Sequence, residues 1–487
     1  MMSTSRRGPI FQLLVVWAAA AVLAVGCATN PATGKKQISL IGEQQEVAIG
    51  REAQAEVEQA FGYYDSQALQ DYVQEVGESL ASKSERPHLP WTFRVVDDSI
   101  VNAFAYPGGY IYISRGILAH FNSEAELAGV LGHEIGHVTA RHSVNQMSKQ
   151  QLMSIGLGVG MVLSPEFRQF GDLAQTGLGL LFLKYSRDDE RQSDELGLRY
   201  SVRSGYDARE MANIYEILEE VSNQAEGGPV PGWLATHPAP ENRGQLIRNQ
   251  LAEVEVDWSG TTVGRDSYLR RLEGLVYGDD PREGYFNGDT FFHPGLAFKM
   301  KFPQGWKTKN FREAVLGTSP ADDAAVELTL AKESDPRSAA QAFVNQQGIE
   351  ADRIKDGTIN KIPAAWARFR VETQSGSLAG RVAFVRYRDR TFRLMGYTTS
   401  DRWSRYSDQI DRSLQSFDTV SDPAILNVQP QRISLVQIDR EMTMREFDAR
   451  YPSGIPLEQI ALINQVGPDE LLRKGQLVKR VTPKQGS

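Results

Sequence analysis

Apolar positions recur at helical spacing over Glu46–Phe61 and again over Gln67–Lys83. The pattern then switches to alternation, predicting strands at Thr92–Val96 and, after the Pro107-Gly108-Gly109 turn, at Tyr110–Ser114. Helical spacing returns from Ser123 to Gln146. There Leu127, Val130, Leu131 and Val138 form one apolar stripe behind Ser123-Glu124-Ala125-Glu126, which has capping-box form. The run Ile155–Leu163 is apolar, closed by Ser164-Pro165, and too short to span a bilayer. With Thr176–Leu183 it predicts a buried helical hairpin or a lid beside a cleft, a shallow lipid-dipping element being the alternative. Further helices are predicted over Asp188–Ser204 and Ala208–Asn223, followed by a loop at Gly227–Gly232.

Residues 256–288 are rich in Gly, Asp and Arg and read as a linker. Beyond them strands are predicted at Ala297–Phe302, Ala325–Ala331, Ala364–Glu372, Arg381–Arg388 and Phe392–Thr398, with helices at Ser338–Gln347 and Trp403–Phe417. That pattern predicts an α+β accessory domain over 289–420. The fold class is therefore α+β and multidomain, with a mainly helical first domain that carries a small sheet.

The N-terminus changes where this fold is expected to work. Arg6 and Arg7 precede an apolar run from Ile10 to Val25, the form of a signal peptide. The run ends at Leu23-Ala24-Val25-Gly26-Cys27, which resembles a bacterial lipobox and would leave Cys27 diacylated. Cys27 is the single cysteine of the chain, so no intrachain disulfide can form. No Asp follows it, which favours sorting to the outer membrane, and residues 28–45 read as a polar tether. A net charge of −8 spread along 487 residues, with no basic block, excludes a nucleic-acid partner. It also leaves membrane attachment to the lipid at Cys27 rather than to polybasic attraction.

Candidate chemistry sits in the Ser123–Gln146 helix, at His133-Glu134-Ile135-Gly136-His137. Residues i and i+4 share one helix face, so both imidazoles can reach one zinc ion. Glu134, beside the metal, can take a proton from water activated there. Only seven histidines occur in the chain, so the pairing is not a product of composition. Catalytic zinc usually takes three protein ligands, which asks for another donor. Glu190 and Asp194 are also i and i+4 on a predicted helix. One could bind the metal while the other orients a histidine, or both could lie on a solvated acidic face with Arg187 and Arg191.

Several blocks in order resemble the HtpX-like and CAAX-prenyl-protease-like zinc metallopeptidases, in their soluble periplasmic branch. They are Asn102–Gly109, His133–His142, Ser186–Asp194, and Thr236-His237-Pro238 followed by Glu241-Asn242-Arg243. One departure is Ser193, where the family usually has Ala. The resemblance covers about residues 45–255 and implies a gluzincin-type peptidase domain over 46–255 with one zinc ion per chain. It makes His133, His137 and Glu190 the ligands, Glu134 the general base and Asp194 the partner that orients a ligand. His237 becomes either a transition-state stabiliser or an inhibitory fourth ligand. His142 lies half a turn off the metal-facing side of a continuous helix and is assigned to packing. His88, His120 and His293 are assigned to structure or surface.

Thr443–Phe447, Tyr451, Ile460–Asn464, Leu471-Leu472 and Lys474–Leu477 resemble a LysM module, a small βααβ unit over 430–482. Asp439-Arg440-Glu441 replaces its usual Gly-Asp, so peptidoglycan binding and a purely structural cap both stay open. Phe302–Trp306 is similar to the lead-in of photosystem PsbP-like sandwiches and implies no activity. The expected function is a lipid-anchored zinc endopeptidase of the Gram-negative periplasm, acting on unfolded or misfolded envelope proteins. The edge near Asn102–Tyr106 would take an extended substrate by strand addition. The alternative is an outer-membrane assembly or chaperone factor whose peptidase is normally latent. A cell-wall amidase or glycan hydrolase gains nothing from the motif blocks.

Overall fold

The computed structural model describes residues 27–157, 184–224, 232–238, 243–373 and 376–483. The leader 1–26, most of the Ile155–Leu163 and Thr176–Leu183 runs, and the Gly227–Gly232 loop up to Pro231 lie outside them. The chain divides into two compact units, one of residues 1–278 with 432–482 and one built on 279–431. Among the described residues no helix is long and apolar enough to cross a membrane.

The first unit carries the candidate chemistry. Helices Glu43–Phe61 and Gln67–Ala81 lead into a three-stranded sheet ordered Thr92–Val96, Tyr110–Ser114, Ala103–Tyr106. The middle strand runs parallel to the first and antiparallel to the last, which forms an edge. Gly77 lets its helix settle on this sheet, because a Cβ there would stand 2.4 Å from the Phe93 ring.

Helix Glu124–Ala140 runs through the core, buried from Ala125 to Ala140. The Ser123 hydroxyl accepts from the Glu126 N–H, as the capping pattern predicts. The Glu126 carboxylate turns instead to the N–H of Asn122 and the amide of Gln465. The single helix expected to reach Gln146 is broken at Arg141, which adopts the left-handed conformation at φ 61°. Its guanidinium holds that turn by donating to Glu46 and to the Ile41 carbonyl. A second helix, His142–Leu157, starts from there.

Helix Arg187–Arg203 crosses the His133 helix at a glycine contact. A Cβ on Gly197 would lie 2.7 Å from the His133 nitrogen, and one on Gly136 would lie 3.0 Å from Ser193 Cα. Only hydrogen at these points lets two helix backbones come so close. This spacing brings the short acidic side chains of the second helix within reach of the histidines of the first.

Three segments pack more tightly than their composition suggests. Residues 28–45, expected as a tether, begin with strand Cys27–Thr29 paired to Lys36–Ile38, and the Leu40 N–H donates to Ser148. Within the expected linker 256–288, helix Arg265–Arg271 buries Tyr268 and Leu269, and the Tyr268 hydroxyl donates to the Leu118 carbonyl. The module near 430–482 has βααβ order: strands Ile433–Gln437 and Leu477–Val481 pair around helices Met444–Arg450 and Leu457–Asn464. It belongs to the first unit, and the buried Lys479 ammonium donates to the carbonyls of Ala119 and Phe121 at 2.8 and 2.9 Å.

The second unit is an antiparallel α+β body. Its large sheet runs Ile349–Ala351, Ile362–Thr373, Gly376–Tyr387, Arg390–Thr399, Ala324–Leu330, Ala314–Thr318, Lys307–Asn310. Alternate residues of the central strand serve opposite cores. Val382 and Phe384 pack with helix Pro336–Val344, and Ala383 and Val385 pack with helix Trp403–Leu414.

Candidate metal centre

Because His133 and His137 lie one turn apart, their Nε2 atoms meet at 2.9 Å. Glu190, from the crossing helix, approaches with Oε1 at 3.4 Å from His137 Nε2 and Oε2 at 3.5 Å from His133 Nε2. His237 Nδ1 lies 3.3 Å from His133 Nε2 and 3.2 Å from Glu190 Oε1. One donor atom from each of these four buried residues lies within 4.8 Å of the others. Asp194 stands behind the cluster and accepts from His133 Nδ1 at 2.8 Å. Of the two acidic residues, Glu190 therefore faces the donors and Asp194 orients a ring.

Glu134 is fully buried and, among the described residues, neither carboxylate oxygen has a hydrogen-bond partner; Oε1 lies 3.4 Å from His237 Nε2. Burial pushes its pKa up to about 7. Burial acts the same way on Glu190, but the charge of His237, hydrogen bonds from His137 and His237, and Arg243 hold it well below the usual carboxylate range. Burial lowers His133 to about 4, with the Arg243 charge adding to the effect. Two imidazoles without a proton on the facing nitrogen, one ionised carboxylate and an adjacent unpartnered carboxylate form a donor set that fits zinc.

Four residues with no assigned catalytic role in the sequence reading complete the site. Arg243 clamps Asp194 through Nη2 at 2.5 Å and Nε at 2.8 Å, touches Glu190 Oε2 at 3.2 Å, and lies over the Tyr215 ring. Trp233 stacks on His237 with centroids 4.2 Å apart, and Tyr185 stacks on His137 at 3.8 Å. His142, assigned to packing, contacts His137 because the break at Arg141 swings it back. Arg243 ends the Thr236–Arg243 block, which was its only sequence signal. Tyr185 and Trp233 gave none. His88 is exposed and pairs with Glu43, while His120, in the turn after helix Arg115–Leu118, bonds back to the Gly116 carbonyl.

A helix presenting two histidines, a glutamate from the helix it crosses and a second buried carboxylate beside them define a metallopeptidase centre. Residues 67–251 match the model for Peptidase family M48. The mitochondrial metalloendopeptidase OMA1 of Arabidopsis thaliana is 35% identical over 207 residues, 41% of this chain and 40% of the relative. The beta-barrel assembly-enhancing protease of Escherichia coli K12 is 28% identical over 237 residues, 46% of this chain and 48% of the relative. The metalloprotease YcaL of the same organism is 31% identical over 170 residues, 34% of this chain and 63% of the relative. The chain thus spans less than two thirds of the length of each. Among solved structures, cyanobacterial PsbP from Synechocystis aligns with 27% of this chain and 91% of its own at 12% identity. Its TM-score of 0.22 is too low to carry an argument.

Proposed function

We propose that the protein is a zinc-dependent endopeptidase of the bacterial periplasm that acts on unfolded or misfolded envelope proteins. The observation that carries this reading is the buried convergence of His133, His137 and Glu190 next to the unpartnered Glu134. Zinc held by those three residues would supply a Lewis acid that polarises a carbonyl and lowers the pKa of water. Glu134 acts as general base: its carboxylate takes a proton from the attacking water and returns it to the leaving amine. Asp194, clamped by Arg243, fixes the ring of His133 so that Nε2 faces the other donors, where it would hold the zinc. The edge strand Ala103–Tyr106 offers backbone groups for an extended substrate.

Purified protein is expected to carry about one zinc per chain. It should digest casein, lose that activity to a chelator, and recover it with added zinc. Metal-free protein, or digestion indifferent to chelation, would overturn the assignment.

A second reading is favoured by the position of His237 among the donors. There it would act as a fourth ligand that keeps the peptidase latent in an outer-membrane assembly or chaperone factor. The name of the E. coli relative supports that setting. Zinc-loaded protein that leaves casein intact would support this second reading over the first. We place the protein at the outer membrane through a lipid on Cys27. Labelled fatty acid should enter the wild type and not Cys27→Ser, and equal labelling of both would refute the anchor. Peptidoglycan binding by residues 430–482 is part of this proposal, and sedimentation of the protein with purified sacculi tests it.

A further inference from the structure

An imidazole can ligate a metal through Nε2 only if its own proton sits on Nδ1, and that proton needs an acceptor. For His133 the acceptor is the carboxylate of Asp194. Among the described residues His137 has no carboxylate at the equivalent place. Its Nδ1 faces the Nδ1 of His142 at 3.0 Å, and His142 Nε2 in turn faces Gln192 Oε1 at 2.9 Å. His142 is buried, so both of its ring nitrogens must find partners inside the protein.

We infer that His142 and Gln192 form a neutral relay that fixes the tautomer and orientation of His137, making His142 a positioning residue for the metal centre. The inference rests on the metallopeptidase reading above. The direction of each bond follows from the donor inventory. With the lone pair of His137 Nε2 turned to the cluster, its Nδ1–H donates to His142 Nδ1. His142 then carries its proton on Nε2 and donates to the Gln192 carbonyl oxygen, which is only an acceptor. The side-chain amide of Asn30 donates to that same oxygen at 3.4 Å, consistent with this orientation of Gln192. The other groups facing His142 do not supply an alternative chain. Ser193 Oγ is 3.4 Å from Nδ1 and Asp189 Oδ1 is 3.6 Å from Nε2, both longer than the bonds of the relay. Tyr185, stacked on His137 and hydrogen-bonded to Ser143 at 2.8 Å, keeps the ring from turning away.

The left-handed turn at Arg141 creates this contact. In a helix running straight through to Gln146, position 142 would point elsewhere. The break restarts the helix at His142 and returns its ring toward the turn it has just left.

The two histidines are thus held in different ways. Asp194 gives His133 an ionic partner whose charge Arg243 balances, whereas His137 receives an uncharged one. A second carboxylate in place of His142 would put another buried negative charge close to Glu190.

The test is zinc affinity, read by competition with a chromophoric chelator on the full-length protein. His142→Leu keeps the bulk and removes the acceptor, and is expected to weaken zinc binding by about 10- to 100-fold. His142→Gln restores an acceptor and a donor and should recover most of that loss, which a purely packing role would not produce. Should His142→Leu fail to fold, nitrogen-15 spectra of the zinc-loaded wild type decide, since the relay requires the proton of His137 on Nδ1 and that of His142 on Nε2. Equal affinity in a folded His142→Leu, or the opposite tautomer at His142, overturns the relay while leaving the metallopeptidase reading intact. A wild type that binds no zinc overturns that reading itself.

Discussion

His237 places Nε2 3.4 Å from Glu134 Oε1 and Nδ1 3.2 Å from Glu190 Oε1, so one ring spans the proposed base and a proposed ligand. The ring is held there by stacking on Trp233 and by its own backbone N–H, which donates to the Trp233 carbonyl at 2.8 Å. Trp233 is anchored in turn to the Val101 carbonyl, just ahead of the edge strand. In the latent reading proposed above, a histidine so placed would compete with substrate as an intramolecular ligand. His237→Ala is therefore expected to raise casein cleavage several-fold at unchanged zinc content. A fall of about a hundredfold, the scale for losing one transition-state donor, would show that His237 assists the reaction instead.

Metal content separates the two glutamates. Glu190→Gln removes the only carboxylate that faces both histidines among the described residues and should lose most of the zinc. Glu134→Gln should keep the zinc and lose hydrolysis. Atomic absorption together with a casein assay distinguishes them, and full occupancy in Glu190→Gln would remove it from the ligand set.

Gly197 tests the helix spacing. Alanine gains up to about 1 kcal/mol of helix propensity over glycine. Here its Cβ would meet the backbone nitrogen of His133 at 2.7 Å and the Gly132 carbonyl carbon at 3.0 Å. Backbone cannot yield as a side chain does, and overpacking costs about 1–3 kcal/mol, so the clash outweighs the propensity. Gly197→Ala should lower the urea midpoint and weaken zinc binding, because Asp194 and Glu190 move away from His133. A variant as stable as the wild type would refute close contact at this point.

Acid sensitivity has an identifiable source at His120. Burial, and then the nearby Lys479 charge, lower its pKa to about 4 against a backbone bond to Gly116 that works the other way. The unfolded chain takes up a proton near pH 6.5 and the folded one does not until far lower, so the stabilisation present above pH 6.5 drains away as pH falls toward 4. The full drop is about 3 kcal/mol for such a shift. Chemical denaturation at pH 7.5 and pH 5 should give a smaller difference for His120→Gln than for the wild type. Identical pH dependence in the two would exclude His120 as the source.

Local spacing made much of the centre legible. His133 with His137, and Glu190 with Asp194, are i,i+4 pairs whose geometry needs nothing beyond a helix. The break at Arg141 was not legible, because arginine carries no preference for the left-handed region and side-chain bonds to Glu46 hold it there. Lys479 looks like an exposed strand charge, and it is the carbonyls of Ala119 and Phe121, some 360 residues earlier, together with the nearby Glu126 carboxylate, that make its burial tolerable. Tyr268 and Leu269 lie on a seven-residue helix, too short for periodicity to register, in a stretch whose Gly and Asp content signals a linker.

The docking of the C-terminal module also sets an order of events during biogenesis. Asn122, at the threshold of the His133 helix, bonds the Ile463 carbonyl across 341 residues of chain, and Lys479 closes the same seam. Contacts so distant in sequence form late. A nascent chain stopped short of the module would hold every proposed ligand while the helix that presents two of them still lacked its final support. Ripening of the centre would then be tied to arrival of the module. Chains stopped before residue 430 should be cut by trypsin within the His133 helix, and resistance equal to that of the full chain would rule this timing out.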